Sequence, residues 1–225
     1  MTTENTVKTE AFSLTLTESK STLRLSTDAL LLSAYVREER SAKALEMGAG
    51  NGTVSMLLAR RNCFAGIFAV EVQSELCDIM RSNIEENGFT GKIAIVNADV
   101  RALNPEPYKG VRAVFANPPY MKCDSGASSP LTSKQIARHE VMGGILDFCQ
   151  SASKILKTGG RLYLVYRPDR LSTMFSALTE CGFSPKRMTF VHSDKAHRPS
   201  SVLVEATLGG GESLTVTRPD RKSVV

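Results

Sequence analysis

The sequence has few of the residues that build metal sites and disulfide frameworks. Its five cysteines stand at positions 63, 77, 123, 149 and 181, and no two of them form a Cys-x-x-Cys pair. His192 and His197 belong to no constellation of cysteine and carboxylate ligands. An odd, dispersed set of cysteines argues against both a disulfide framework and a zinc site. We therefore expect free thiols in a reducing compartment and no bound metal.

A long apolar run and an N-terminal targeting pattern are also absent. No apolar stretch is long enough to span a bilayer, and the first six residues lack the basic-then-apolar order of a signal peptide. We find no internal repeat and no low-complexity tract. The 225 residues are 42% hydrophobic and 23% charged, which is typical of one globular domain. We expect a cytoplasmic protein without a membrane segment.

The charge balance is mildly basic, with a net charge of +5. From Arg161 to the C-terminus there are ten Lys and Arg against six Asp and Glu, so this segment carries +4 of the surplus. Such an excess is compatible with a nucleic-acid partner without establishing one. Nothing in the sequence indicates an oligomer.

Strand-like and helix-like segments alternate along the chain. This order predicts an α/β fold, with a Rossmann-like, mostly parallel sheet and helices on both faces. The last two strands have no helix between them, so we expect them to form an antiparallel unit. Predicted strands cover 42–47, 66–72, 92–96, 111–116, 161–166, 187–192 and 201–208, and predicted helices cover 53–61, 75–86, 140–156 and 170–181.

Three segments fall outside this alternation. Residues 1–40 are expected to form a helical N-terminal segment that closes over a cofactor site, within a single domain that spans 1–208. Residues 121–135 are polar and too long for a plain connection, as functional loops often are. Residues 209–225 begin with three glycines and are predicted to be a flexible tail.

A glycine-rich turn follows the first predicted strand of the sheet. Gly48, Gly50 and Gly52 stand at alternate positions, whereas a dinucleotide fingerprint would place its third glycine at position 53. Glycines allow a tight turn and a close approach of the backbone, and the helix N-terminus that follows offers N–H groups to a carboxylate. Glu46, at the strand end, can accept a hydrogen bond from an ammonium group. The turn therefore fits a cofactor whose nearest part is an amino acid.

Two carboxylates follow the next two predicted strands. Glu71 ends one strand, where it can accept from both hydroxyls of a ribose, and Asp99 follows the next, where it can accept from an adenine amine. Ligands of such sheets bind at the carboxyl ends of the strands. Together with the glycine turn, these residues favour S-adenosylmethionine (AdoMet) as cofactor.

The fourth predicted strand of the sheet ends in Asn117-Pro118-Pro119-Tyr120. An exocyclic amine on an aromatic ring is a poor nucleophile, and a site assists it by accepting hydrogen bonds from both amine hydrogens. The side-chain oxygen of Asn117 and the carbonyl of Pro118 are suited to this, because two prolines stiffen the corner. Tyr120 offers a ring face on which a flipped base can stack, worth about 1–3 kcal/mol. The pattern predicts methyl transfer to a planar amine or amide nitrogen.

With these motifs the chain resembles class I AdoMet-dependent methyltransferases, and more narrowly the bacterial tRNA (adenine-N6)-methyltransferases that act on valine tRNA. The narrower match uses three further segments: 26–32 with Asp28, 136–140 with Arg138 and His139, and 161–171. The resemblance implies a seven-stranded sheet with one reversed strand. It implies that the cofactor is held by Asp28, Glu46, Gly48, Gly50, Gly52, Glu71, Asp99 and Asn117, and the adenine by Asn117, Pro118, Pro119 and Tyr120.

Several roles stay open at this level. Asp28 either caps the following helix or closes over the cofactor. Arg138 and His139 either bind phosphate or cap a helix. Further candidates for contacts with tRNA phosphates are Lys122, Arg167, Lys186 and Arg187.

Other functions also match parts of the sequence. Protein glutamine methyltransferases share Asn-Pro-Pro-Tyr but carry an N-terminal helical domain, and only about forty residues precede the first predicted strand of the sheet here. Guanine-N2 methylation of ribosomal RNA, methylation of DNA, and non-catalytic binding of RNA or cofactor are the remaining alternatives.

Overall fold

A computed structural model describes residues 6–11, 14–19, 26–119, 143–194 and 196–221. Within these residues the helices are α1 Thr27–Tyr35, α2 Thr53–Arg60, α3 Ser74–Glu86, α4 Ile145–Ile155 and α5 Leu171–Glu180. The strands are β1 Thr6–Ala11, β2 Leu14–Ser19, β3 Glu39–Met47, β4 Phe64–Glu71, β5 Ile93–Asn97, β6 Val111–Ala116, β7 Arg161–Tyr166, β8 Phe183–His192, β9 Ser201–Leu208, β10 Thr215–Val216 and β11 Asp220–Arg221.

The large sheet confirms the predicted architecture. Its order is β10-β8-β9-β7-β6-β3-β4-β5, and β11 also pairs with β8. Strands β3 to β7 are parallel to one another, whereas β9 runs antiparallel to both β7 and β8. The predicted core of seven strands with one reversed member is therefore present, and the two short strands β10 and β11 extend its edge.

Apolar side chains of successive residues in the central strands point to opposite faces of the sheet. In β6, Ala113 and Phe115 join a core cluster with α1, α2 and α3, while Val114 and Ala116 join a second cluster with α4 and α5. Strands buried on both faces need continuous apolar runs, and this is why 111–116 was predictable from sequence. No helix among the described residues has the length and apolar character needed to cross a membrane.

The N-terminal segment differs from the prediction. Residues 6–11 and 14–19 pair as an antiparallel hairpin, β1–β2, which is a separate sheet. The prediction of a helical segment over 1–40 is therefore wrong for these two strands, whereas α1 is helical. Ser26 accepts a hydrogen bond from the Ala29 amide at 3.1 Å and caps α1. The suggestion that Asp28 caps this helix is wrong, because Asp28 is its second residue and accepts from Ser201 Oγ in β9 at 2.8 Å.

The C-terminal segment also differs. Thr215 and Val216 pair with Arg187 and Met188, and Asp220–Arg221 pairs with Val191 and His192, all in parallel with β8. The prediction of a flexible tail is therefore wrong for these residues. An edge strand offers unpaired backbone groups, and the tail satisfies part of them on β8.

Candidate active site

The predicted site residues converge at the carboxyl ends of β3, β4, β5 and β6. An open crevice lies between these strand ends and α4. It is lined by Gly48, Glu71, Val72, Asp99, Val100, Asn117, Pro119 and Phe148. Residues from four strand ends, predicted separately from sequence, thus meet around one cavity, as expected for an open α/β sheet.

The glycine turn between β3 and α2 depends on a left-handed backbone. Gly48, Gly50 and Gly52 have φ values of +70°, +57° and +84°, which side chains with a Cβ rarely adopt. A Cβ on Gly52 would come within 2.7 Å of Met80 Cγ on α3, so this residue is also fixed by packing. Gly48 lines the crevice, where the lack of a side chain keeps the floor open.

Glu71 ties the glycine turn to the end of β4. The side chain is only 2% exposed. Its Oε2 accepts from the Gly50 amide at 2.9 Å, and its Oε1 accepts from the Gln73 amide at 3.0 Å. One carboxylate thus orders two loops at the crevice, a role that the sequence did not reveal. Its predicted contact with the cofactor ribose stays a prediction, supported by its position in the lining.

Glu46 does not line the crevice but lies buried behind it. Its Oε2 accepts from the Ser55 amide at 3.0 Å and from the Ser55 hydroxyl in α2. Burial raises the pKa of Glu46 to about 8, the Ser55 hydrogen bonds lower it, and the nearby Glu71 raises it further. A nearby ammonium group would stabilise the ionised form of Glu46. Its predicted role, accepting a hydrogen bond from the ammonium group of the cofactor, therefore stays a prediction that is electrostatically reasonable.

Asp99 lies in the crevice lining and is engaged by Arg101. Its Oδ1 accepts from the Arg101 amide at 2.8 Å, and Oδ2 contacts the guanidinium Nη2 at 2.6 Å. These hydrogen bonds hold the pKa of Asp99 below its usual range. The carboxylate therefore stays ionised as a hydrogen-bond acceptor. No sequence motif pointed to Arg101, although it lies only two residues from Asp99.

The corner after β6 contributes Asn117 and Pro119 to the crevice, with Pro118 buried beneath. Tyr120 lies outside the described residues.

Phe148 is a further lining residue of the crevice, and no sequence motif indicated it. It sits on α4, is 2% exposed, and its ring edge lies 3.6 Å from where a Cβ on Gly48 would stand. The apolar stripe of α4 contains Phe148, but only the fold shows that this stripe reaches the crevice.

The predicted phosphate-binding residues fall into three groups. Lys122, Arg138 and His139 lie outside the described residues. Lys186 is held by the tail, because its ammonium donates to the Gly211 carbonyl and lies 3.2 Å from Ser213 Oγ. Arg167 is exposed and pairs with Asp169 at 2.9 Å.

Arg187 has a structural role that the sequence did not suggest. Its guanidinium donates to the Tyr35 carbonyl at 2.6 Å, stacks 3.8 Å from the Tyr35 ring, and pairs with buried Glu205 at 2.9 Å. It thereby satisfies the C-terminal end of α1, which has no basic residue in its last turn. We therefore correct the assignment of Arg187 to phosphate binding, because its guanidinium group is engaged by Glu205 and the Tyr35 carbonyl.

The raised pKa of Glu46 gives a testable pH dependence of stability. The pKa is about 8 in the folded protein against 4.5 for the unperturbed group, so the native state holds an extra proton between these values and loses stability as the pH rises through this window. We expect Glu46→Gln, which keeps an oxygen acceptor for Ser55, to gain stability relative to wild type over this range. The gain is on the order of a few kcal/mol. Urea unfolding at pH 5 and pH 8.5 measures it. A pH-independent difference would contradict the assignment.

Comparisons with known proteins agree with this geometry. The family model described as "Methyltransferase small domain" matches residues 19–181. A relative from Parabacteroides distasonis, named tRNA1(Val) (adenine(37)-N6)-methyltransferase, is 26% identical over 83% of this chain and 77% of its own. A relative of the same name from Shewanella amazonensis is 28% identical over 82% of this chain and 78% of its own.

Solved structures share the fold. A predicted O-methyltransferase from Agrobacterium tumefaciens matches with a TM-score of 0.68 and 23% identity, over 87% of this chain and 89% of that one. Since the family model spans well over half of the 225 residues, the chain belongs to the methyltransferase small domain family.

Proposed function

We propose that this protein transfers a methyl group from AdoMet to the exocyclic N6 amine of an adenine in tRNA, beside the anticodon of a valine tRNA. The single observation that carries the proposal is that Asn117 and the carboxylates Glu71 and Asp99 line one crevice. An acceptor for an amine thus stands next to acceptors suited to a nucleoside. The names of the two curated relatives support adenine 37 of tRNA1(Val) as the target. This substrate implies a cytoplasmic location.

The residues present fit AdoMet as the cofactor. Glu71 and Asp99 provide carboxylate oxygens at the strand ends, Gly48 carries no side chain where it lines the crevice, and Glu46 is a buried acidic group behind the turn. In this scheme Glu71 would hold the ribose, Asp99 the adenine amine and the glycine turn the amino-acid part. AdoMet would supply an activated methyl group on a sulfonium. Asp99 would have to exchange part of its Arg101 contacts for the ligand.

Asn117 and the adjacent carbonyl of Pro118 would act on the substrate amine. Two acceptors at a corner stiffened by Pro118 and Pro119 align both N–H bonds and favour a pyramidal nitrogen, whose lone pair is then available. Alignment of the nitrogen with the methyl donor would lower the barrier to such a displacement. AdoMet held by Glu71, Asp99 and the glycine turn would supply the methyl carbon, and its carbon–sulfur bond would break as the amine nitrogen bonds to that carbon. The product amine then releases a proton, which needs no strong base.

The positions of two exposed arginines, Arg198 and Arg218, support an RNA-binding surface beside the crevice. Adjacent strands lie about 4.8 Å apart, so β8 and β11 stand about 14 and 19 Å from β6 along the same edge of the sheet. Arg198, in the loop after β8, and Arg218, just before β11, are both exposed at this end. Phosphates of a stem-loop could contact them while the target base sits at Asn117.

We expect Arg198→Ala combined with Arg218→Ala to raise the KM for tRNA about tenfold, because each arginine would neutralise a phosphate. The dissociation constant for the cofactor should not change. A matched control is Arg60→Ala combined with Arg81→Ala, which removes the same charge from exposed positions on α2 and α3. Initial rates against tRNA concentration at two salt concentrations provide the measurement. Equal KM values for the two double variants would exclude this surface.

The proposed function is tested by transfer of labelled methyl from AdoMet to tRNA that lacks its own modifications, followed by nucleoside analysis. A transcript of the valine tRNA and a matched transcript with guanine in place of the target adenine should be compared. Label in N6-methyladenosine, present only with the adenine transcript, is the expected result. Label on a protein glutamine, or on guanine N2, would replace the adenine assignment with one of the alternative methyltransferase reactions.

A further inference from the structure

Two asparagine side chains bind the backbone of the N-terminal hairpin, whose Leu14 and Leu16 are buried in the core. Asn83 lies in the last turn of α3, and Asn87, four residues later, is the C-cap of this helix. Asn87 Oδ1 accepts from the Thr15 amide at 3.0 Å, and its Nδ2 donates to the Thr15 carbonyl at 2.8 Å. Asn83 does the same with Thr17, at 2.7 Å and 3.1 Å. The two amides thus replace a neighbouring strand on the outer edge of β2.

Only one of these asparagines also contacts the glycine turn. The second hydrogen of Asn83 Nδ2 is donated to the carbonyl of Asn51 at 3.1 Å. Asn83 is fully buried, and both of its amide hydrogens and its oxygen are engaged. Removing such a group leaves buried backbone partners unsatisfied, which is costly. The same side chain therefore links the hairpin and the turn.

The contact with Asn51 bears on the glycine turn, because Asn51 lies within that turn. Its carbonyl lies between Gly50, whose amide donates to Glu71, and Gly52, whose missing Cβ allows the turn to rest on Met80. Its side-chain oxygen accepts from the Thr53 hydroxyl at 2.7 Å at the start of α2. Met80 and Asn83 are three residues apart on α3, so they hold the turn from one helix face.

We propose that Asn83 is a positioning residue, which fixes the glycine turn in its left-handed conformation and couples the N-terminal hairpin to it. Docking of Thr17 orients the Asn83 amide, and the oriented amide holds the Asn51 carbonyl. Loss of the hairpin contact would then loosen the turn at the crevice. The inference rests on the proposed function only where binding of a cofactor is used as a readout.

The chain provides a matched pair of variants to test this. Asn83→Ala removes the hairpin contact and the turn contact. Asn87→Ala removes a hairpin contact, the bond to the Asn83 carbonyl at 2.7 Å and the contact with Met56 Sδ, but it leaves the turn contact of the Asn83 side chain in place. In hydrogen–deuterium exchange of the unliganded protein, we expect the amides of residues 50–53 to exchange at least tenfold faster in Asn83→Ala than in wild type. Asn87→Ala should stay within twofold of wild type. Equal exchange of these amides in the two variants would overturn the proposal.

A second pair of variants, Thr17→Pro and Thr15→Pro, tests the coupling while the buried Asn83 side chain is kept. The Thr15 and Thr17 amides point to α3 and not to β1, so proline at either position leaves the hairpin ladder intact. Thr17→Pro is expected to speed exchange of residues 50–53 about threefold, and Thr15→Pro to leave it unchanged. Identical behaviour of both proline variants would overturn the coupling even if Asn83→Ala failed to fold.

Binding of S-adenosylhomocysteine, measured by calorimetry, provides the functional readout. Asn83→Ala should raise the dissociation constant about tenfold, against less than twofold for Asn87→Ala. If the wild-type protein binds no S-adenosylhomocysteine, the proposed cofactor is wrong, and the exchange experiment still decides the role of Asn83. Normal exchange with weakened binding would mean that Asn83 does not act through the turn.

Discussion

Asn117→Ala is expected to reduce kcat for methyl transfer by about 10²–10³, because it removes an acceptor that is oriented before the reaction begins. Loss of one such preorganised group typically costs this much in rate. The side chain lines the crevice at a corner that Pro118 and Pro119 hold rigid, so its acceptor oxygen is positioned before the substrate arrives. Single-turnover rates with saturating tRNA would isolate the transfer step.

Two comparisons separate this role from a structural one. Asn117→Asp keeps an acceptor oxygen at the same position, so it should retain more activity than Asn117→Ala. Both variants should bind S-adenosylhomocysteine within about tenfold of wild type, since Glu71 and the glycine turn remain. An alanine variant that kept more than a tenth of the wild-type kcat would show that Asn117 is not the amine acceptor.

Gly48→Ala is expected to weaken cofactor binding by at least tenfold. The residue has φ of +70° and lines the crevice, so a methyl group there both strains the backbone and occupies space that the ligand needs. The strain costs about 1–2 kcal/mol of folding stability. Titration calorimetry with S-adenosylhomocysteine would measure the loss of affinity.

Gly88→Ala is the matched control for this substitution. Gly88 follows α3 with φ of +74°, and a Cβ there would meet no atom within 4 Å. It should therefore lose a similar amount of stability, read from urea unfolding, and keep full affinity. Equal affinities in the two variants would show that the backbone at Gly48 does not approach the ligand.

The two predictions probe different halves of one crevice. Gly48 belongs to the turn after β3, while Asn117 belongs to the corner after β6, and these strands are neighbours in the sheet. A protein that binds the cofactor but does not transfer the methyl group is expected from the Asn117 change. A protein that transfers it only at high cofactor concentration is expected from the Gly48 change.

The central part of the fold was predictable because its strands are buried on both faces. The bounds of β6, β7 and β9 agree with the predicted 111–116, 161–166 and 201–208. Such strands must be continuously apolar, and the glycines and prolines at their ends are local signals. The glycine turn and the Asn-Pro-Pro-Tyr corner were found for the same reason, since each is a short motif at a strand end.

The hairpin and the tail were not predictable in this way. Residues 6–19 alternate Thr with charged and apolar residues, and the partner of β2 is a pair of side chains on α3 that lies more than 60 residues away. The triple glycine at 209–211 is typical of a loose end, but the residues beyond it find an open edge on β8. Contacts of this kind depend on which surfaces the fold leaves unpaired.

The sequence by itself determined the order of strands and helices, the glycine turn, and the placement of Glu71, Asp99 and Asn117 at strand ends, because each depends on local backbone geometry or on periodic burial. Only the tertiary structure decided how those residues are used. It paired Arg101 with Asp99, turned Arg187 inward to Glu205, placed Phe148 beneath the crevice and linked Asn83 to both the hairpin and the turn. These contacts join residues from different elements, and a side chain's charge or amide does not specify its partner until the chain has folded.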